Sequence, residues 1–196
     1  MTYQDWDDEA KIKELYYPEV EKLLLDNVPG AETILLFDHT IRRPNHSRAP
    51  VMRVHIDQTA SSTVARVRLH LPSDADALLK GRYRIINIWR PLNGPVVSHP
   101  LAVADSATVR DEDLVGVEHR YPDRTGETAG VKFSKEQKWY YWSGMTNQER
   151  LFLKCFDSHA ELGQWGRVPH TAFVDPRTPE GAKGRESIEV RALVFG

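Results

Sequence analysis

The chain has 196 residues, and its 26 Lys and Arg against 28 Asp and Glu give a formal net charge of -2 at pH 7. This near-balance excludes a protein that binds nucleic acid through bulk positive charge, and no apolar run approaches the roughly twenty residues that a membrane span needs. The single cysteine, Cys155, excludes an intramolecular disulfide and a cysteine-rich zinc site. Any metal site must therefore use histidines and carboxylates.

The first predicted element is helical. Apolar side chains recur with a period near 3.6 from Ala10 to Asn27. Pro18 predicts either two helices or one helix that restarts there, and Asn27-Val-Pro-Gly30 ends the segment. A second, short helix is predicted from Ser73 to Lys80. We therefore expect an N-terminal helical segment over residues 1–30.

Residues 31–196 are predicted to be mainly strand, punctuated by proline and glycine turns. The polar segment from Asp111 to Glu136 is expected to be mostly an excursion from the sheets. Many short strands with little helix between them favour a sandwich or barrel over βαβ units. The predicted strands are Thr33–Arg42, Val51–Asp57, Thr63–Leu69, Arg82–Arg90, Leu101–Val109, Trp139–Trp142, Leu151–Phe156, His170–Val174 and Ser187–Phe195.

A candidate metal site lies in Val54-His55-Ile56-Asp57, at the end of the second predicted strand. Alternate residues of a strand project to one face, so His55 and Asp57 can both reach one metal ion if the chain turns there. His170 arrives on another short strand. Two histidines and one carboxylate form the facial triad of non-haem Fe(II) enzymes. The same set also suits catalytic zinc, and a lone strand histidine is often structural.

The last predicted strand carries charge on one face, because strand parity places Arg185, Ser187, Glu189 and Arg191 together. A buried guanidinium needs an anionic partner, and a carboxylate ligand is one candidate. The alternatives are that Arg191 pairs with Glu189, or that this face is solvated.

A series of segments from about residue 30 to the end of the chain stands in an order typical of one family. They are Phe37–Arg43, Pro50–Asp57, Ile86–Pro91, Gly94–Pro95, Pro100–Asp105, Trp139–Tyr141, Lys154–Ser158, Pro169–Phe173 and Arg185–Phe195. Through them the chain resembles the fungal hydroxylase/desaturase family of the AsaB and gibberellin-desaturase type, which is related to cephamycin-type hydroxylases.

The resemblance implies a double-stranded β-helix of the jelly-roll or cupin type, with Fe(II) and the co-substrate 2-oxoglutarate. It implies hydroxylation or desaturation of a small secondary metabolite with O₂. His55, Asp57 and His170 resemble the iron ligands, and Arg185 with Ser187 resembles the pair that binds the distal carboxylate of 2-oxoglutarate. The remaining expected co-substrate residues are Arg191, as the second choice for that carboxylate, and Asn87.

The expected substrate pocket contains Trp89, Arg90, Tyr140 and Phe173, although such side chains also build plain barrel core. Relatives usually carry several dozen residues ahead of the first helix, so we expect a pocket wall or outer strands to be missing. Bare edge strands then make a homodimer one expected assembly. No apolar stretch follows Met1, which predicts a cytoplasmic protein. Two other functions stay open, namely a non-catalytic barrel that binds a hydrophobic metabolite and a zinc hydrolase.

Overall fold

The computed structural model describes residues 1–44, 48–122 and 125–196. It contains two antiparallel sheets that pack face to face. The four-stranded sheet has the order β1-β10-β3-β8, and the six-stranded sheet has the order β5-β6-β2-β9-β4-β7. Because consecutive strands repeatedly change sheet, the architecture is the predicted mainly-β, double-stranded β-helix.

The strand bounds are as follows. The four-stranded sheet contains β1 (Thr33–Arg42), β3 (Tyr83–Pro91), β8 (Leu151–Asp157) and β10 (Ser187–Phe195). The six-stranded sheet contains β2 (His55–Ile56), β4 (Leu101–Ala104), β5 (Leu114–Arg120), β6 (Thr125–Val131), β7 (Trp139–Tyr141) and β9 (His170–Ala172).

The N-terminal helices cover the outer face of the four-stranded sheet. Helix α1 (Glu9–Lys11) is capped by the Asp8 carboxylate, which accepts from two backbone N–H groups. A π-helical turn (Ile12–Tyr16) leads into α2 (Tyr17–Asn27), whose first turn contains Pro18, where a missing N–H costs nothing. The apolar stripe of these helices packs on alternate residues of β3 and β10. This helix-side core contains Trp6, Ile12, Tyr16, Val20, Leu24, Ile86, Ile88, Leu92, Ile188, Val190, Ala192 and Val194.

The opposite face of β10 points between the sheets. Leu193 and Phe195 join the inter-sheet core, whereas the buried Glu189 and the half-buried Arg191 lie on the same face nearer the start of the strand. The register places Arg191 opposite Asn87 of β3. The other members of the inter-sheet core are Ile56, Val67, Ala75, Ile85, Trp89, Val96, Ala129, Met145, Leu153 and Cys155.

The strand predicted at Thr63–Leu69 is wrong, because this segment lies in helix α3 (Ala60–His70). Thr59 and Ser62 form a capping box, in which each hydroxyl accepts from the other residue's backbone N–H. Thr63 and Val67 lie on the buried side, one helical turn apart. The short helix α4 (Ala75–Leu78) lies inside the segment predicted to be helical.

The excursion predicted from Asp111 to Glu136 is also wrong, because most of it forms the β5–β6 hairpin. Backbone pairing builds this hairpin with few large apolar side chains, and β6 then pairs with β2 through His55 and Gly130. The residues numbered 123 and 124, between the two strands, lie outside the described part. Four predicted strands are shorter in the structure, since β2 spans His55–Ile56, β4 spans Leu101–Ala104, β7 spans Trp139–Tyr141 and β9 spans His170–Ala172.

None of the helices in the described ranges is long and apolar enough to cross a membrane.

A buried ion pair at the end of β8 provides a stability test. The Asp157 carboxylate accepts from Arg82 Nε at 3.0 Å and Nη2 at 2.7 Å, and from the His159 N–H at 3.1 Å. Burial opposes ionisation, but these donors outweigh it and hold the pKa of Asp157 below its usual value. We expect Asp157→Asn to lower the free energy of unfolding at pH 7 by about 1–3 kcal/mol, measured by urea denaturation.

Because the folded-state pKa of Asp157 is depressed, its contribution is present above the unfolded-state pKa of about 4 and is lost as pH falls through the folded value. The stability difference between the variant and the parent should therefore shrink at acidic pH. Asp26→Asn is the matched control, since Asp26 pairs with Lys22 in water. Equal losses for the two variants would contradict the interpretation.

Candidate metal centre

His55, Asp57 and His170 converge between the sheets. Strands β2 and β9 are neighbours, and His55 and His170 stand directly opposite each other in the register, with ring centroids 4.5 Å apart. Asp57 follows β2 by one residue. Each of the three side chains offers a ligand atom, and these atoms all lie within 4.8 Å of one another.

Backbone carbonyls orient both imidazoles. His55 Nδ1 lies 2.8 Å from the Arg53 carbonyl oxygen, and His170 Nδ1 lies 3.1 Å from the Val168 carbonyl oxygen. A carbonyl oxygen can only accept, so each Nδ1 carries the hydrogen and each Nε2 is left with its lone pair when the ring is neutral. Metal-binding histidines are commonly held in this way.

The Asp57 carboxylate is held on one side. Its Oδ2 accepts from Asn87 Nδ2 at 2.8 Å and from Arg191 Nε at 2.9 Å. Its Oδ1 lies 3.3 Å from His55 Nε2, on the side of the histidines. One oxygen is therefore occupied by the protein, and the other is directed to the position that a metal ion would take.

The charge states of Asp57 and His170 also fit a divalent cation. Burial opposes ionisation of Asp57, but the neighbouring Arg191 outweighs it and holds the pKa of Asp57 well below its usual value. Burial, followed by repulsion from His55, lowers the pKa of His170 to about 4. At neutral pH the group thus contains a carboxylate and a neutral His170, as metal ligation requires.

Arg191 is occupied by protein partners. Besides Asp57, its guanidinium contacts Asp38 Oδ1 at 2.9 Å, Thr40 Oγ1 at 3.1 Å and Glu189 Oε1 at 3.0 Å. The pairing with Glu189 is one of the two alternatives that the sequence left open. Sequence reasoning missed Asp38, although it lies in a segment that carries the resemblance and opposes Arg191 in the β1–β10 register.

Arg185, unlike Arg191, has hydrogen-bond donors without a partner among the described residues. Its side chain is 3% exposed, its guanidinium lies over the Trp89 ring at 5.1 Å, and its Nε and Nη1 have no hydrogen-bond partner among the described residues. Burial lowers its pKa to about 10, so it stays charged at neutral pH. A buried cation with unused donors is a binding position for an anion. Ser187 is buried two residues further on.

An apolar cavity of about 400 Å³ is lined by Trp89 and Tyr140, two of the predicted pocket residues. Phe173 does not line this cavity. Its ring packs edge-on against Tyr141, and Tyr141 does line the cavity. The structure does not bring Arg90 to this cavity. Arg90 lies on the helix side of β3, where its guanidinium covers the Trp6 and Tyr16 rings. The other residues that line this apolar cavity are Val96, Leu101, Val103, Trp142, Ser143, Met145 and Leu151.

Comparison with known proteins identifies relatives along the whole chain. A family model described as an oxidoreductase/YMDC permease-like domain matches residues 1–195. The chain is 39% identical over 220 residues to the hydroxylase/desaturase poxK of Penicillium oxalicum, covering 97% of this chain and 68% of the relative. It is 36% identical over 196 residues to the Fe(II)/2-oxoglutarate-dependent dioxygenase nvfI of Aspergillus novofumigatus, covering 97% of this chain and 69% of that relative.

A solved structure agrees with these relatives. The iron and alpha-ketoglutarate-dependent endoperoxidase NvfI superposes with a TM-score of 0.91 at 33% identity, covering 100% of this chain and 76% of that one. The similarity therefore extends to the three-dimensional arrangement of both sheets.

The unsatisfied Arg185 predicts an unusual stability effect. In protein free of metal and co-substrate, Arg185→Met should leave the free energy of unfolding unchanged or raise it by about 1 kcal/mol, because it removes a buried charge that lacks partners. The matched control is Arg84→Met, since Arg84 is 2% exposed and its Nη atoms bond the carbonyls of Pro29, Gly30 and Gly196. That variant should lose about 2–3 kcal/mol in urea unfolding. A loss as large for Arg185→Met would refute the idea.

Proposed function

This chain belongs to the hydroxylase/desaturase family of Fe(II)/2-oxoglutarate-dependent dioxygenases, and we propose that it hydroxylates or desaturates a small secondary metabolite. The observation that carries the proposal is the convergence of His55, Asp57 and His170, with both Nε2 atoms left available and one Asp57 oxygen directed to them. O₂ and the metabolite are the small-molecule partners.

In this proposal the three side chains hold Fe(II) from one side and leave the remaining coordination positions to other ligands. Bound Fe(II) supplies the oxygen activation that couples decarboxylation of 2-oxoglutarate to oxidation of a C–H bond. The protein contributes orientation, because the Arg53 and Val168 carbonyls fix the imidazoles before any metal binds.

Arg185 and Ser187 bind the distal carboxylate of 2-oxoglutarate in this proposal. The buried, partly unsatisfied guanidinium of Arg185 supports that role, because an incoming carboxylate would accept from donors that the protein leaves unused. Fixing the far end of a dicarboxylate sets the direction from which its keto-acid end approaches the metal position.

Asn87 and Arg191 act through Asp57 instead of contacting the co-substrate. Both donate to Asp57 Oδ2, so Oδ1 is the oxygen that would be available to hold the metal ion. The apolar cavity around Trp89 and Tyr140 takes the carbon skeleton of the metabolite and keeps water away from the reacting carbon.

Other expectations remain predictions. These are the homodimer, the cytoplasmic location, the absence of nucleic-acid and membrane partners, and the division at residues 30 and 31 into a helical segment and a catalytic domain.

Alanine substitution of His55, Asp57 or His170 tests the metal site. Each variant should bind Mn(II) at least roughly 100-fold more weakly in equilibrium dialysis and should lose Fe(II)-dependent succinate formation from 2-oxoglutarate, because each supplies one of three ligands. His159→Ala is the control, since His159 lies at the surface near Glu161. Anaerobic purification with elemental analysis separates iron from zinc, and succinate formation that persists without Fe(II) would refute the proposal.

The positioning role of Asn87 and Arg191 has its own test. Arg191→Met and Asn87→Ala should weaken Mn(II) binding about 10–100-fold in calorimetry, because Asp57 loses the donors that orient it. Arg191→Lys should restore only part of the Mn(II) affinity, because one ammonium group cannot form all the contacts that the planar guanidinium forms with its several partners. Arg43→Met removes another partly buried, ion-paired arginine far from the triad and should leave Mn(II) affinity unchanged. Unchanged Mn(II) affinity in Arg191→Met and Asn87→Ala would refute this role.

A further inference from the structure

A second cavity, of about 450 Å³, opens beside His55 and Asp57, and Trp89 is not part of its lining. We call it the basic cavity. Its lining comes from β1, the segment before β2, α3 and the β5–β6 hairpin. The other lining residues are Asp38, Thr40, Arg42, Arg48, Val51, Arg53, Gln58, Arg66, His119, Tyr121, Thr128 and Arg191.

The charge of this lining is unbalanced. It contains five arginines and two aspartates. Both aspartates are already paired with Arg191, through Asp57 Oδ2 at 2.9 Å and Asp38 Oδ1 at 2.9 Å. The net charge of the whole chain is -2, so the positive excess is a property of this cavity and not of the composition.

Arg42 is the most constrained of the remaining cations. It ends β1, is half-buried, and its Nη1 donates to the Ala49 carbonyl oxygen at 3.1 Å. Burial lowers the pKa of Arg42, and the nearby Arg191 and Arg48 lower it further, against the attraction of Glu189. The Arg42 guanidinium thus lies within electrostatic reach of both carboxylates and other arginines, and an oxyanion in the cavity would give it a further partner.

Arg48 and Arg53 extend the positive surface toward solvent. Both side chains are exposed, and neither forms an ion pair with a carboxylate within residues 1–44, 48–122 and 125–196. They reach the cavity from the segment before β2, whereas Arg42 comes from β1. Arginines from separate segments that face one space can grip an oxyanion from two directions.

The basic cavity has a different lining from the position proposed for 2-oxoglutarate, but the two adjoin at Arg42, which stands opposite Ser187 in the β1–β10 register and lowers the pKa of Arg185 by repulsion. Arg185 stacks on Trp89, and Trp89 lines the apolar cavity, whereas neither residue lines the basic cavity. The basic cavity therefore borders His55 and Asp57 directly and has a cationic wall, whereas the apolar cavity is lined by none of the three triad residues.

We propose that the metabolite oxidised by this enzyme carries a carboxylate, which Arg42, Arg48 and Arg53 bind in the basic cavity while the reacting carbon lies beside the triad. The inference rests on the proposed function and adds the chemical class of the substrate. The cationic wall selects the acid over its neutral ester or amide, because only the acid satisfies the guanidinium donors.

The test uses protein saturated with Mn(II) and 2-oxoglutarate, so that the co-substrate position is filled. The probes are two acids, phenylacetate and 4-phenylbutyrate, each paired with its primary amide, and calorimetry gives the dissociation constants. We expect at least one acid to bind about 10-fold or more tightly than its amide. Arg42→Met and Arg53→Met should each weaken that acid about 10-fold. Arg68→Met is the control on α3, since Arg68 pairs with Asp76 at the surface, and it should have no effect.

Several outcomes would overturn the inference. They are equal binding of each acid and its amide, insensitivity to Arg42→Met and Arg53→Met, and loss of binding only in Arg185→Met together with competition by 2-oxoglutarate. Tighter binding of phenyl phosphate than of both acids would assign the cavity to phosphate esters instead. Succinate formation with Fe(II), assayed on the same preparation, distinguishes failure of the proposed substrate class from failure of the proposed function. A preparation that forms succinate without preferring the acids overturns the substrate class alone, and one that neither binds Mn(II) nor forms succinate overturns both proposals.

Discussion

The ion pair between Arg191 and Asp57 is the contact on which the centre of this barrel depends. Arg191 lies on β10 of the four-stranded sheet, and Asp57 follows β2 of the six-stranded sheet, so their 2.9 Å contact joins the two sheets through buried charges. Asp38, Glu189 and Asn87 complete the network. Breaking one partner of such a pair costs roughly 3–5 kcal/mol, because the other charge stays buried alone. The polar network is therefore tolerated between the sheets only as a complete set.

Arg185 and Arg191 lie on the same face of one strand, and their different surroundings separate structure from function. Arg191 has protein partners for each of its guanidinium nitrogens, so it holds the Asp57 carboxylate in place without any ligand. Arg185 is the more deeply buried of the two, and its Nε and Nη1 have no hydrogen-bond partner in the part of the chain that the structure describes. Burying a cation with unused donors costs free energy that the contact with the Trp89 ring recovers only in part, and a bound anion would recover more of it. The contrast favours Arg185 over Arg191 as the residue that meets the co-substrate.

The local sequence pattern was enough to predict those strands whose tertiary contacts agree with the pattern. β1 and β10 have the bounds expected from the sequence, because long runs with apolar side chains on alternate positions can bury one face only as strands. The segment at Thr63–Leu69 has the same alternation and β-branched residues, yet the capping pair Thr59 and Ser62 starts a helix there. The β5–β6 hairpin escaped prediction for the opposite reason, because its strands pair through the backbone while many of their side chains are polar or small.

In the metal site, too, some contacts follow from the local sequence and others depend on the register between strands. His55 and Asp57 could be paired from strand parity, since two residues on one strand share a face whatever the rest of the fold does. The contacts of Asn87 and Arg191 with Asp57 depend on the register between β10 and β3 and on how the sheets face each other. No short segment specifies that register, so the sequence alone could not predict that both residues contact Asp57.

The register also explains why the two cavities differ in character. In one row across the four-stranded sheet, Thr40 of β1 stands beside Glu189, then Trp89 and then Leu151 of β8. The next row runs from Asp38 through Arg191 and Asn87 to Leu153. Each row is polar at β1 and apolar at β8, so the space over β1 becomes the basic cavity and the space over β8 becomes the apolar one. A molecule whose charged end lies in the basic cavity would therefore have that end beside His55 and Asp57, which restricts the carbons that can reach the metal position.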